Sequence, residues 1–315
     1  MLGCLPLAPS LPRRLWHYQA ERFPLTRHGP LILVFAGGCV GYAARLTARP
    51  PRAEAVVLAA LVLLLQFLLM RLADEGKDDA DDRRWQPERA VPRGLVGLRE
   101  LAGLGLVATG LQWALVVLLA PRALPWLAAV WGWFALMGGE FFCRRWLRGR
   151  PLVYALSHLP IVPLLALLAM ALQSGAPLPL GRLLPFLGCV YLGALLIELA
   201  RKIHAPAVER PGVESYSAVW GFRPALALWS GVLLASALLA LAAAAAVAAV
   251  APVALLLVPL LIVALVQAAP WLLGRRLPSA RRAVEPLASL TAAWILATYL
   301  GLGWLAWLPA LGGGR

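Results

Sequence analysis

The chain has 315 residues, 61% of them hydrophobic and only 14% charged, with a formal net charge of +14. A soluble globular chain is about a quarter charged, so this composition excludes an ordinary soluble enzyme. No basic patch is interleaved with base-stacking aromatics, which excludes a nucleic-acid partner despite the positive charge.

Residues 1–30 read as a cytoplasmic N-terminal arm. Arg13-Arg14 is followed by Leu-Trp-His-Tyr-Gln-Ala-Glu-Arg with no apolar core of a cleaved signal. The arm is either an amphipathic helix lying along the membrane interface or a segment without fixed structure. Nine unbroken apolar runs follow, over residues 31–47, 54–73, 96–120, 123–142, 152–173, 182–200, 223–248, 250–270 and 286–308. Most reach the ~20 residues that a helix needs to cross the hydrocarbon. They predict an all-α fold, a polytopic bundle of about nine transmembrane helices spanning residues 31–308, with a short extracytoplasmic tail at 309–315.

Of the 29 Lys and Arg residues, 23 fall in alternate segments: the N-terminal arm, 71–99, 143–151, 198–223 and 274–283. That bias places these segments in the cytoplasm, and the chain in the cytoplasmic (inner) membrane, where anionic lipid suits its charge. Cys4, Cys39, Cys143 and Cys189 have no metal-ligand spacing, so neither a disulfide nor a zinc site is expected.

Polar residues stand out against this background. Gln66 and Gln112 fit hydrogen bonds between helices. Gly37-x-x-x-Gly41 and the Ala-rich stretch 240–251 permit close helix approach. Glu140 and Arg144 have the spacing of a structural ion pair. His158, with Ser157, lies about two turns into the fifth run, either as a structural histidine or in an acceptor site. Trp131, Trp133, Tyr191 and Trp220 either pack and anchor or present aromatic faces to positive charge.

All five aspartates lie within Asp74-Glu75-Gly76-Lys77-Asp78-Asp79-Ala80-Asp81-Asp82, at the end of the second run. Carboxylates repel, so such a cluster needs water or a cation. On a helix, Glu75, Asp78 and Asp82 share a face. Mg²⁺ prefers oxygen ligands, usually one or two carboxylates with phosphates and waters. The pattern points to a metal-diphosphate site at a membrane surface. A second hydrophilic break, 201–222, follows the sixth run, and the only two lysines, Lys77 and Lys202, lie one in each break.

Asp74-Glu75-x-x-Asp78-x-x-x-Asp82, followed by Pro87-Glu88-Arg89-Ala90-Val91-Pro92-Arg93-Gly94, resembles the first motif of the UbiA superfamily of intramembrane prenyltransferases. That family's motif reads Asn-Asp-x-x-Asp-x-x-x-Asp with a trailing Arg-Pro-x-Pro-x-Gly segment. The chain contains no Asn, and Asp74 stands in that place. At and just before the second break, Glu198, Gly212, Val213 and Ser215 match the family's second motif, while Ala207 and Val208 stand where acids are expected.

The resemblance implies Mg²⁺-dependent transfer of an isoprenoid from an allylic prenyl diphosphate to an aromatic or other lipophilic acceptor within the membrane. It implies metal ligands at Asp74, Glu75, Asp78 and Asp82, with Glu209 as a reduced second site. Lys77, Arg89, Arg201 and Lys202 would hold the diphosphate, and Lys202, Arg201 and Glu198 would be catalytic. The same site also suits a prenyl diphosphate hydrolase or cyclase. The reading from a different class is a non-catalytic transporter or lipid-binding protein. Membrane lipid is the expected surrounding, and no obligate protein partner is evident.

Overall fold

The computed structural model describes residues 10–174, 178–204, 209, 215–274 and 281–308. Among these the chain is helical, and eight helical stretches, one of them Pro151–Gln173 with a break inside it, are long and apolar enough to cross a membrane. Thirteen α-helices run in chain order: α1 Leu11–Arg22, α2 Leu25–Leu46, α3 Ala53–Trp85, α4 Leu98–Leu119, α5 Leu124–Gly138, α6 Arg144–Arg148, α7 Pro151–His158, α8 Ile161–Gln173, α9 Leu180–Arg201, α10 Tyr216–Trp220, α11 Phe222–Ala246, α12 Val250–Leu272 and α13 Arg281–Leu302. The expected fold class, a polytopic all-α membrane bundle, is therefore what the chain forms.

The residues group into two compact units, Met1–Leu33 with Ala60–Pro121, and Val34–Ala59 with Arg122–Arg315. In the first unit, part of the N-terminal arm is the helix α1. Its Tyr18 packs with Leu72, Ala90, Val91, Val96 and Leu101. Arg14 grips both carboxylate oxygens of Glu100 at 2.9 and 2.6 Å. Glu100 also accepts the Gly97 amide at 2.9 Å, capping the start of α4. Helix α3 is about 50 Å long at 1.5 Å per residue, against a hydrocarbon core of about 30 Å. Its acidic end, residues 74–85, is thus a helical continuation beyond the apolar run. Gln112 ties α4 to α3 by donating to the Val62 carbonyl at 3.0 Å and to Gln66 Oε1 at 3.1 Å.

In the second unit, glycines let α2 approach the end of α13. A Cβ on Gly303 would stand 2.0 Å from the Gly38 carbonyl oxygen, and one on Gly41 would stand 2.2 Å from that of Gly303. Buried Trp229 and Trp294 of α11 and α13 donate to Thr291 and Ser236 at 3.1 and 3.0 Å.

Two apolar runs differ from expectation. The fourth forms α5, which has 15 residues and ends at Gly138. Glu140, Phe141 and Phe142 then take φ of 48°, 52° and 58°, a left-handed turn that a right-handed helix cannot continue through. The fifth run breaks into α7 and α8, because Pro160 lacks the N–H that would bond the Leu156 carbonyl. Tyr191 Oη donates to that carbonyl instead, at 3.0 Å.

Candidate diphosphate site and its second loop

The acidic motif occupies the last three turns of α3, in the first unit. Glu75 and Asp82 are buried, whereas Asp74 and Asp78 are exposed one turn apart. Burying a carboxylate is tolerable only when it is paired and hydrogen-bonded, and arginines supply both. Glu75 Oε1 accepts from Arg22 Nε at 2.7 Å and from Arg71 Nε and Nη2 at 3.1 and 2.6 Å. Tyr18 Oη approaches the same oxygen at 3.5 Å. Burial, and next the Glu75 charge, push the Tyr18 phenol well above its usual range, so it remains a protonated donor. Both oxygens of Asp82 accept from Arg89 Nη1, at 2.7 and 2.8 Å. Arg22 Nη2 lies 3.9 Å from Asp82 and has no hydrogen-bond partner among the described residues.

The motif is thus divided by environment. Glu75, Asp82 and Arg89 were expected on metal and diphosphate, but they form a buried ion cluster completed by Arg22 and Arg71. Asp79 pairs with Arg83 at 3.0 Å on the helix surface. Lys77 is half-buried on the same helix. Among the described residues no three His, Cys, Asp or Glu side chains converge into a metal cage. The exposed pair Asp74 and Asp78 nevertheless fits Mg²⁺, which needs only one or two carboxylates when phosphates and waters complete its shell.

The second loop belongs to the second unit. Lys202 Nζ pairs with Glu198 Oε1 at 2.6 Å, one turn back on α9, and lies 5.9 Å from the Tyr216 ring centroid. Arg201, the last residue of α9, is exposed. Glu209 accepts from Ser215 Oγ at 2.8 Å and Ser217 Oγ at 2.6 Å. That carboxylate, expected on a second metal, is engaged by hydroxyls. Ser217 Oγ also accepts the His204 amide at 2.7 Å, and Ser215 caps α10 through the Ala218 amide at 3.0 Å. Burial, and next the Glu198 charge, raise the Tyr216 phenol. Ala207, Val208, Arg210, Gly212 and Val213 lie outside the described residues.

The sequence reading missed Tyr18, Arg22, Arg71 and Ser217. Only Arg71 had a local signal, its i, i+4 spacing to Glu75.

No known family's sequence profile matches this chain, and no curated protein sequence does. Solved structures do. One, of digeranylgeranylglyceryl phosphate synthase, superposes with a TM-score of 0.63 at 15% identity, covering 92% of this chain and 99% of that one. Another, an apo UbiA homolog from Aeropyrum pernix K1, gives a TM-score of 0.63 at 19% identity over 85% of this chain and 96% of that one. At these identities the likeness is one of fold. The chain is a multi-pass all-helical membrane protein with the fold of the UbiA-type intramembrane prenyltransferases.

Proposed function

We propose that the chain transfers an isoprenoid from an allylic prenyl diphosphate to a lipophilic acceptor in the cytoplasmic membrane. The observation that supports this most is the acidic motif, with its trailing Arg89 and Arg93 segment, at the polar end of α3 in a chain of UbiA fold. Asp74 and Asp78 would hold Mg²⁺. When bound, the cation neutralises the diphosphate and makes it a better leaving group. Arg22, Arg71 and Arg89 offset the buried Glu75 and Asp82, which fixes the helix end that presents the two exposed aspartates. Lys202 and Arg201 supply cationic partners for phosphate oxygens. The N-terminal arm and both polar loops lie on the cytoplasmic side.

The test is purified protein in lipid nanodiscs with radiolabelled allylic diphosphates of several chain lengths, with Mg²⁺ or EDTA. The expected result is Mg²⁺-dependent release of diphosphate with label transferred to an organic-soluble product. Release with the label found only as prenyl alcohol would make the protein a hydrolase, and no release at any chain length would end the reading.

A further inference from the structure

The short helix α6 and the turn before it put aromatic surface and basic charge side by side on the surface of the second unit. Phe142 is 88% exposed, and Trp146, four residues on, is 50% exposed. Leu147 is turned inward at 2%, so α6 has an inner and an outer face. Phe142 closes a run of three non-glycine residues with φ of 48°, 52° and 58°. Such conformations are unfavourable and persist where the surroundings or a function holds them. Here they turn a phenylalanine out of the fold rather than into it. Four arginines lie within residues 144–150, and Glu140 is the one acid beside them.

Those arginines are not equivalent. Arg144 Nε pairs with Glu140 Oε2 at 3.3 Å, and Arg145 is exposed. The Arg150 guanidinium lies over the Trp146 ring, 4.7 Å from its centroid, and its Nη1 donates to the Trp146 carbonyl at 2.9 Å. Two contacts to one residue hold this planar group in place before any ligand arrives. A guanidinium has five N–H donors in a fixed fork, so most of the fork stays open on a side chain that is itself exposed. Phosphate is the anion that such a fork matches, through charge-assisted and bidentate bonds. Holding the fork in advance lowers the entropy lost on binding. An indole at headgroup level, with a basic group beside it, is how membrane proteins meet the lipid interface.

We infer that Phe142, Trp146 and Arg150 form a binding site for an anionic phospholipid of the surrounding membrane, with Arg145 adding charge beside it. Arg150 takes the lipid phosphate, Trp146 lies among the headgroups, and Phe142 enters the acyl chains. Phe142 selects a lipid over dissolved phosphate, because a free ion would leave that outward ring in water. Charge selects an anionic headgroup over a zwitterionic one. Four arginines less one glutamate give residues 140–150 a net charge of +3, and basic residues near a membrane surface attract anionic lipid. The site is independent of the transferase reading and needs only that the chain spans a bilayer.

The test is native mass spectrometry of the full chain in detergent, titrated with dioleoylphosphatidylglycerol or with dioleoylphosphatidylcholine. The first phosphatidylglycerol should bind more tightly than the first phosphatidylcholine. Arg150→Gln should weaken phosphatidylglycerol roughly tenfold, the loss of a hydrogen bond to a charged group. Arg49→Gln, which removes the same charge from another exposed position of the second unit, should leave it unchanged. Arg150→Lys keeps the charge and loses the stacked fork, so it should weaken binding as well. Phe142→Gly separates binding from folding, since glycine adopts φ of 58° freely. Its thermal midpoint should match or exceed that of wild type, while phosphatidylglycerol binds roughly fivefold more weakly for want of apolar burial. Equal affinity for the two lipids would overturn the inference. So would equal losses in Arg150→Gln and Arg49→Gln, which would leave only diffuse charge, or wild-type affinity in Arg150→Lys or Phe142→Gly.

Discussion

Arg22, the last residue of α1, donates from Nε to Glu75 Oε1 at 2.7 Å, across 53 residues of sequence. Glu75 is 1% exposed, so the pair is shielded from solvent and salt. The N-terminal helix therefore belongs to the acidic motif. It neutralises the motif's most buried carboxylate, while Arg71 does so from within α3.

Glu75→Gln tests that cluster. The change leaves the partly buried Arg22 and Arg71 beside a neutral amide, and breaking a buried pair costs up to about 3–5 kcal/mol. Thermal denaturation in detergent should show a clear drop in midpoint for Glu75→Gln. Glu54→Gln, which removes the exposed partner of Arg52, should show none. Equal midpoints for wild type and Glu75→Gln would mean that the cluster contributes nothing to the fold.

Asp78→Ala and Asp82→Ala should separate. Asp78 is exposed, so its loss should leave the folded protein in place and abolish Mg²⁺-dependent diphosphate turnover. Asp82 is buried against Arg89 at 2.7 Å, so its loss should lower thermal stability as well as turnover. Full turnover by Asp78→Ala would remove the cation site from the exposed pair.

The sequence revealed features whose cause is local. The 54–73 run and its acidic end follow from composition alone, and Gln66 and Gln112 were readable as amides needing hydrogen bonds between helices, which they make with each other while Gln112 also reaches the Val62 carbonyl. Gly37 and Gly41 were readable as a contact face, although their partners, Trp304 and Gly303, were not. What stayed hidden depends on distant residues. Nothing near Arg22 announces Glu75, and a run containing Glu75, Asp78 and Asp82 on one face does not say which carboxylates turn inward. Pro160 within the fifth run was a visible breaker, but hydropathy averages it away. The turn at Glu140–Phe142 has no glycine at its left-handed residues, and the Gly138-Gly139 pair just before it is the one signal, hidden inside an apolar run.

Gly303→Ala should be severely destabilising. Its Cβ would meet the backbone of Gly38 at 2.0 Å, and backbone cannot rotate aside as a side chain can. Overpacking of this kind typically costs about 1–3 kcal/mol, occasionally more. Gly103→Ala is the control, since nothing lies within 4 Å of its added methyl. Comparable thermal midpoints for the two variants would contradict the close crossing of α2 with the end of α13.

Helix α5 decides the parity of the membrane crossings. Its 15 residues span about 22 Å, short of the ~30 Å core. The basic segments 71–99 and 143–151 reach the same side only if α4 and α5 both cross. A reporter active only in the cytoplasm should work when fused after Arg84 or Arg150 and fail after Leu308. Activity after Leu308 would leave α5 as a helix that does not cross.

Lys202→Ala and Glu209→Ala test the second loop. Lys202 is half-exposed and held by Glu198 at 2.6 Å, a surface pairing that a stronger anion can displace. Phosphate is such an anion, and losing a hydrogen bond to a charged group costs about 1.5–3 kcal/mol, roughly ten- to a hundredfold in affinity. Lys202→Ala should therefore raise KM for the prenyl diphosphate by that factor. Glu209 is occupied by two serine hydroxyls and ties residue 209 to the start of α10. Its removal should lower thermal stability and change KM far less than Lys202→Ala does. A Glu209→Ala protein of normal stability that loses its response to Mg²⁺ would instead assign Glu209 to a second cation. An unchanged KM in Lys202→Ala would take the second loop out of diphosphate binding.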